Sequence, residues 1–119
     1  MSFMFFHCDL LDNIDMRLFD TSQLTEAMSA FYGCISLSNI NFENLDTRKA
    51  ENLNYMFNYC PSLTSLYLPG LDTNHMNGYG INDMFGKSEN LTLYIHMEKN
   101  IDLVNNLPEY IDVHNISDY

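Results

Sequence analysis

The chain has 119 residues, 16 of them Asp or Glu against 5 Lys or Arg, for a formal net charge of −11. That length holds one domain with a real core, and the charge argues against direct contact with nucleic-acid phosphates or anionic lipid, both of which need a basic surface. Its 46% hydrophobic and 13% aromatic content is too high for a disordered acidic tail, and no apolar run approaches the roughly 18–20 residues of a membrane-spanning helix.

From the N-terminus onward the chain repeats itself. Cys8, Cys34 and Cys60 are separated by 26 residues, and the same step relates Phe5, Phe31 and Phe57, then Leu11, Leu37 and Leu63. It also relates Ile14, Ile40 and Leu66, and the pairs Asp20-Thr21, Asp46-Thr47 and Asp72-Thr73. Met1–Phe6 is apolar but has neither a basic flank nor a small-residue cleavage site, so it is a poor export signal. The chain starts inside a repeat, because Met1 aligns with Ala27 and Leu53. The first copy is therefore expected to lack a cap, as in a fragment of a longer surface protein or in a small protein that dimerises through its open end.

The third copy shows the expected local structure best. Leu53, Met56 and Phe57 stand at i, i+3 and i+4, which predicts a short helix over 52–59. Leu66 and Leu68 alternate with Ser65 and Tyr67, which predicts a strand with one buried face, ended by Pro69-Gly70. Asp72-Thr73 then turns the chain, with side chains suited to bonding nearby backbone N–H groups.

A fourth copy follows with two residues inserted near Gly78-Tyr79-Gly80, where the glycines permit an extra bend. Met84-Phe85 restores the pattern, and Ser88 takes the place of the cysteine. Leu91, Leu93 and Ile95 alternate as a further strand. Residues 97–119 fit the repeat poorly and read as a closing segment: a polar turn at Glu98-Lys99-Asn100, a helical piece near Ile101–Asn106 and a strand near Tyr110–Val113. The expected division is a repeat region over 1–96 and a capping segment over 97–119. The expected fold is an α/β solenoid of about four and a half repeats, a right-handed coil with short parallel strands on one side and short helices on the other.

The string Met56-Phe57-Asn58-Tyr59-Cys60-Pro61-Ser62-Leu63-Thr64-Ser65-Leu66-Tyr67-Leu68, followed by Leu71-Asp72-Thr73, resembles a bacterial surface-protein repeat. It is the repeat of Mycoplasma-type lipoproteins and BspA-like leucine-rich repeat proteins. Phe31 to Leu37 with Leu45-Asp46-Thr47, and Met4 to Cys8 with Phe19-Asp20-Thr21, carry the same resemblance. It implies a leucine-rich-repeat-like solenoid that binds other macromolecules, often at a cell surface, without catalysis. The compartment stays open: without an export signal the chain reads as cytoplasmic as it stands, whereas the family is often surface-exposed.

Each chemical candidate has a plain structural alternative. Cys8, Cys34 and Cys60 suggest a thiolate site, yet no C-x-x-C pair is present, and buried free thiols fit better. Asp20, Asp46 and Asp72 form a ladder that could hold calcium, or could cap the backbone of their own turns. The four histidines show no ligand spacing, and His7 and His96 read as exposed. Nucleophile elbows and phosphate loops are missing, so no cofactor, no metal and no catalysis are expected.

The informative positions face outward from the strands. Asp15, Asn39, Asn41, Ser65, Tyr67, Tyr94 and His96 would form a polar strip that becomes aromatic toward the C-terminal end, with Tyr79 in the inserted loop nearby. Exposed tyrosines anchor interfaces well. The leading expectation is a non-enzymatic protein-binding module that presents a rigid repeat surface to another protein. The alternative is a small acidic inhibitor, a nucleic-acid mimic that blocks the basic cleft of a defence nuclease. For that reading the cluster Asp9, Asp12 and Asp15 is the motive, and carboxylates placed as turn caps are the counter-indication.

Overall fold

The computed structural model describes residues 1–116. Three-residue strands recur at the repeat spacing: β1 (Asn13–Asp15), β2 (Asn39–Asn41) and β3 (Ser65–Tyr67). Two four-residue strands follow, β4 (Thr92–Ile95) and β5 (Asp112–Asn115). The period-2 pattern explains them: Ile14, Ile40, Leu66 and Leu93 point into the core between more exposed neighbours. One five-residue helix, α1 (Ile101–Asn105), and single 3-10 turns at Asn74–Met76 and Met97–Lys99 complete the elements.

The strands pair in parallel, with the register the repeat dictates. Asn13, Ile14 and Asp15 lie opposite Asn39, Ile40 and Asn41. Ser65, Leu66 and Tyr67 lie opposite Thr92, Leu93 and Tyr94, and β4 pairs in turn with β5. These ladders form two sheets, β1-β2 and β3-β4-β5. Between β2 and β3 no ladder forms, and a cleft of about 230 Å³ opens there beside Asn39, Asn41, Glu43 and Tyr67.

The expected strand-and-helix solenoid is therefore corrected. The described residues form two separate parallel sheets with almost no helix, and the molecule measures 35 × 31 × 28 Å. The expected helix over 52–59 is a run of turns. Its residues send alternate N–H groups in opposite directions. Leu53, Tyr55, Phe57 and Tyr59 donate to the carbonyls of Gly80, Asn82, Met84 and Gly86 at 2.6–3.0 Å, while Met56 and Asn58 donate back to Leu53 and Tyr55. An α-helix would keep all these donors to itself. The φ angles of Tyr55 and Tyr59 are both +58°, outside the helical region. The same alternation recurs in the first copy, where Phe3, Phe5 and His7 donate to Met28, Ala30 and Tyr32. In the second copy, Ala27, Ser29, Phe31 and Gly33 donate to Asn52, Asn54, Met56 and Asn58.

The apolar spacing could not separate these alternatives, because Leu53, Met56 and Phe57 are fully buried in the turn ribbon as they would be on a helix. What the repeat does specify is the core. Phe5, Phe31, Phe57 and Phe85 stack with centroids 5.2–5.6 Å apart and planes within 13° of parallel. Around them Leu37, Leu63 and Leu91 are buried, as are Met56 and Met84.

Three of the four residues from Asn77 to Gly80, at the inserted loop, stand at positive φ: Asn77 (+52°), Gly78 (+82°) and Gly80 (+73°). A Cβ on Gly80 would run into the Glu51 carbonyl, so glycine is required both for conformation and for close approach. Beyond β4, helix α1 lies where a helical piece was expected, and β5 begins two residues later than the expected Tyr110–Val113. The last three residues of the capping segment lie outside the described residues.

Candidate partner-binding face

Outward positions of β3, β4 and β5 fall in register across one sheet. Tyr67 lies opposite Tyr94, and Tyr94 opposite His114. All three are exposed, Tyr67 by 49% and Tyr94 by 36%. The Tyr94 and His114 rings stack at 5.1 Å with planes 27° apart. Ser65, Thr92 and Asp112 form a second, polar row beside the first, and the Asp112 carboxylate sits 3.3 Å from His114 Nε2. The result is a continuous aromatic row with a polar margin on a hydrogen-bonded scaffold.

His114 and Asp112 were not singled out from the sequence. The alternation Asp112-Val113-His114 was the available signal, but placing the strand two residues early hid it. Asn39 and Asp15 face solvent on the other sheet, and Asn39 Nδ2 donates to Asn13 Oδ1 at 3.3 Å. Asn41 is half-buried at the cleft between the sheets, where Tyr67 forms the opposite wall.

Asp15 is not a free acidic contact. Arg17 grips its carboxylate bidentately, Nε at 2.9 and 3.1 Å and Nη2 at 2.7 Å, and this pairing holds its pKa down at about 2. Two positions leave the expected strip. His96 is 6% exposed rather than exposed, because β4 ends at Ile95 and the chain turns inward into the 3-10 turn Met97–Lys99. Its Nδ1 lies 3.4 Å from Glu98 Oε1, and its carbonyl accepts bonds from Lys99 N–H and Asn100 Nδ2. Tyr79 is 80% exposed but belongs to a different hollow, shared with Lys49, Glu51 and His75.

The three ladders have clear structural duties. Cys34 Sγ donates to the Phe5 carbonyl at 2.9 Å, and Cys60 Sγ to the Phe31 carbonyl at 3.2 Å. Ser88 repeats this on the Phe57 carbonyl at 2.9 Å and also accepts from Cys60 N–H. Each thiol or hydroxyl thus closes the carbonyl of the stacked Phe in the preceding copy. Cys8 is half-buried. Burial pushes the Cys60 thiol up to about 12 and raises Cys34 as well, which keeps both protonated as donors. No disulfide joins them.

Asp20 and Asp46 accept from the N–H of the residue two positions on, Ser22 at 2.9 Å and Arg48 at 3.1 Å. These bonds lower Asp20, while the Arg48 guanidinium does most of the lowering at Asp46. Asp72 instead lies 4.0 Å from His75 Nδ1. The threonines beside them carry the contacts between copies, which the sequence reading missed. Thr21 Oγ1 accepts from Asp46 N–H, Thr47 Oγ1 bonds both the N–H and the carbonyl of Asp72, and Thr73 Oγ1 donates to Asn100 Oδ1, all at 2.8 Å. All three threonines are less than 5% exposed, in keeping with this role. Among the described residues no group of three or more His, Cys, Asp or Glu is placed to hold a metal ion.

The family described as "Mycoplasma protein of unknown function, DUF285" matches residues 1–111, which include every copy and most of the closing segment. The chain belongs to this family. The resemblance to the Mycoplasma repeat is met at that level, whereas the leucine-rich-repeat assignment finds no support in the two short sheets and turn ribbons. No curated protein and no solved structure matches the chain. No helix among the described residues is long and apolar enough to cross a membrane.

Proposed function

We propose that the chain is a non-enzymatic protein-binding module whose recognition surface is the β3-β4-β5 face. The observation that carries this reading is the exposed row Tyr67, Tyr94 and His114, held in register on three hydrogen-bonded strands. Tyrosine offers large, rigid contact area at small entropic cost, and a preformed row lowers the ordering penalty on binding. The acidic-inhibitor reading draws less support. Asp15 and Asp46 are each neutralised by an arginine, and Asp20 is bound into its own turn, so these carboxylates serve local structure.

Affinity capture at low and high salt, with the intact chain and a Tyr67→Ser/Tyr94→Ser variant, tests the proposal. It expects a protein partner that survives high salt and is lost with the tyrosines. A basic nucleic-acid-binding partner, released by salt and indifferent to the tyrosines, would contradict it and favour the inhibitor.

A second copy of the chain is a further partner the first repeat favours. Leu10 and Leu18 are 95% and 97% exposed there, and Phe3, Met4, Phe6 and Phe19 are also exposed. Sedimentation should show a concentration-dependent dimer that Leu10→Ser/Leu18→Ser abolishes; a monomer at all concentrations contradicts this.

A further inference from the structure

In each of the first three copies, alternate N–H groups of the turn ribbon reach carbonyls of the copy that follows. The fourth copy presents the corresponding groups at Ile81, Asp83, Phe85 and Lys87, two residues later in register because of the inserted loop. Lys87 N–H finds the Tyr110 hydroxyl at 2.6 Å. The N–H groups of Ile81, Asp83 and Phe85 find no acceptor among the described residues. The ribbon lines a cleft of about 340 Å³. The closing segment lines the same cleft at Leu103, Leu107 and Pro108, but none of its described carbonyls accepts from these three N–H groups. Ile81 and Phe85 are 7% and 1% exposed, so their donors are withdrawn from bulk water, and an N–H unmet in such a place is costly.

The remaining features define what would fit. The walls combine apolar side chains, Ile81, Met84, Phe85 and Leu103, with the polar Asn82, Asp83 and Asn106. Two exposed carboxylates lie here: Asp83 lines the cleft, and Asp102 is beside it, its Oδ2 3.6 Å from where a Cβ of the lining residue Gly78 would be. A ligand that complements this site carries backbone carbonyls at alternate positions and a positive charge outside.

We propose that this cleft binds a short extended segment of a basic partner protein, whose carbonyls accept from Ile81, Asp83 and Phe85 N–H while its Lys or Arg side chains meet Asp83 and Asp102. This is the backbone-led recognition seen when a peptide completes an open hydrogen-bonding edge. The cleft shares no residue with the Tyr67–His114 row, so either surface can fail without the other.

Amide NMR on the intact chain tests it. In the free protein, hydrogen exchange at Ile81, Asp83 and Phe85 should be at least about tenfold faster than at the equivalent, bonded Leu53, Tyr55 and Phe57. Titration with the blocked peptide acetyl-Lys-Val-Lys-Val-Lys-amide should move the Ile81, Asp83 and Phe85 amide signals downfield and slow their exchange. The Glu-for-Lys peptide should not. Asp83→Asn/Asp102→Asn should weaken the basic peptide by about tenfold or more, with the fold checked by the unchanged remaining signals. Equal protection of the two amide sets in the free protein would overturn the proposal, as would equal binding of both peptides or a footprint elsewhere. A dependence of these signals on protein concentration without peptide would also overturn it, assigning the cleft to a second copy.

Discussion

At the scale of single residues, the cysteines show how a repeat column acquires a duty. Cys34, Cys60 and Ser88 differ in chemistry but all donate to the carbonyl of a stacked Phe. Cys60→Ser should therefore keep the bond and cost less than Cys60→Ala, which removes the donor at a cost of about 1–3 kcal/mol in denaturant titration. Equal losses would remove this role from the thiol. The Arg17–Asp15 pair gives a pH prediction. The folded pKa of Asp15 is about 2, below the ordinary ~3.9, so its contribution is complete above ~pH 4 and lost as pH falls toward 2. Carboxyl titration by NMR should show that low value, and Arg17→Ala should return it toward ~3.9. The 26-residue columns marked the cysteine positions as repeated but not which atom each would meet, because those partners lie in another copy. The Arg17–Asp15 pair lies within one copy, at positions that do not repeat, so no column pointed to it.

At the scale of elements, the strands and the closing helix α1 were legible, and the turn ribbons within the copies were not. Ile14, Ile40, Leu66 and Leu93 alternate with polar residues, and only a strand satisfies that period. The Leu53-Met56-Phe57 spacing suits a helix or a ribbon of turns, and the outcome depended on where alternate N–H groups found acceptors. Gly80 and the φ of +58° at Tyr55 and Tyr59 belong to that outcome. Trans-hydrogen-bond couplings should connect Tyr55 N to Asn82 C′ and Phe57 N to Met84 C′; couplings to the residue four positions earlier would restore the helix. Phe57→Ala should cost about 3–5 kcal/mol, since Phe57 is sandwiched by Phe31 and Phe85. Phe5→Ala should cost less, because Phe5 is only partly buried and stacks on one side. A loss below about 1 kcal/mol for Phe57→Ala would contradict the stacked core.

At the scale of the whole molecule, parallel register between copies converts a one-dimensional repeat into faces. One face carries Tyr67, Tyr94 and His114; the turn side carries Tyr59, also exposed. The sequence indicated the tyrosines of the first face but included His96, which the end of β4 turns inward, and omitted His114, which the closing strand contributes. That exchange is the physical limit of reading by periodicity: it holds within the copies and fails where the closing segment departs from them. Recognition by a partner at this face is the central claim. The most direct measurement is the amide chemical-shift footprint of a captured partner on the labelled chain. Ser65, Tyr67, Thr92, Tyr94, Asp112 and His114 should move together while Tyr59 and the Phe stack stay still. A footprint confined to the first copy or to the turn side would contradict it.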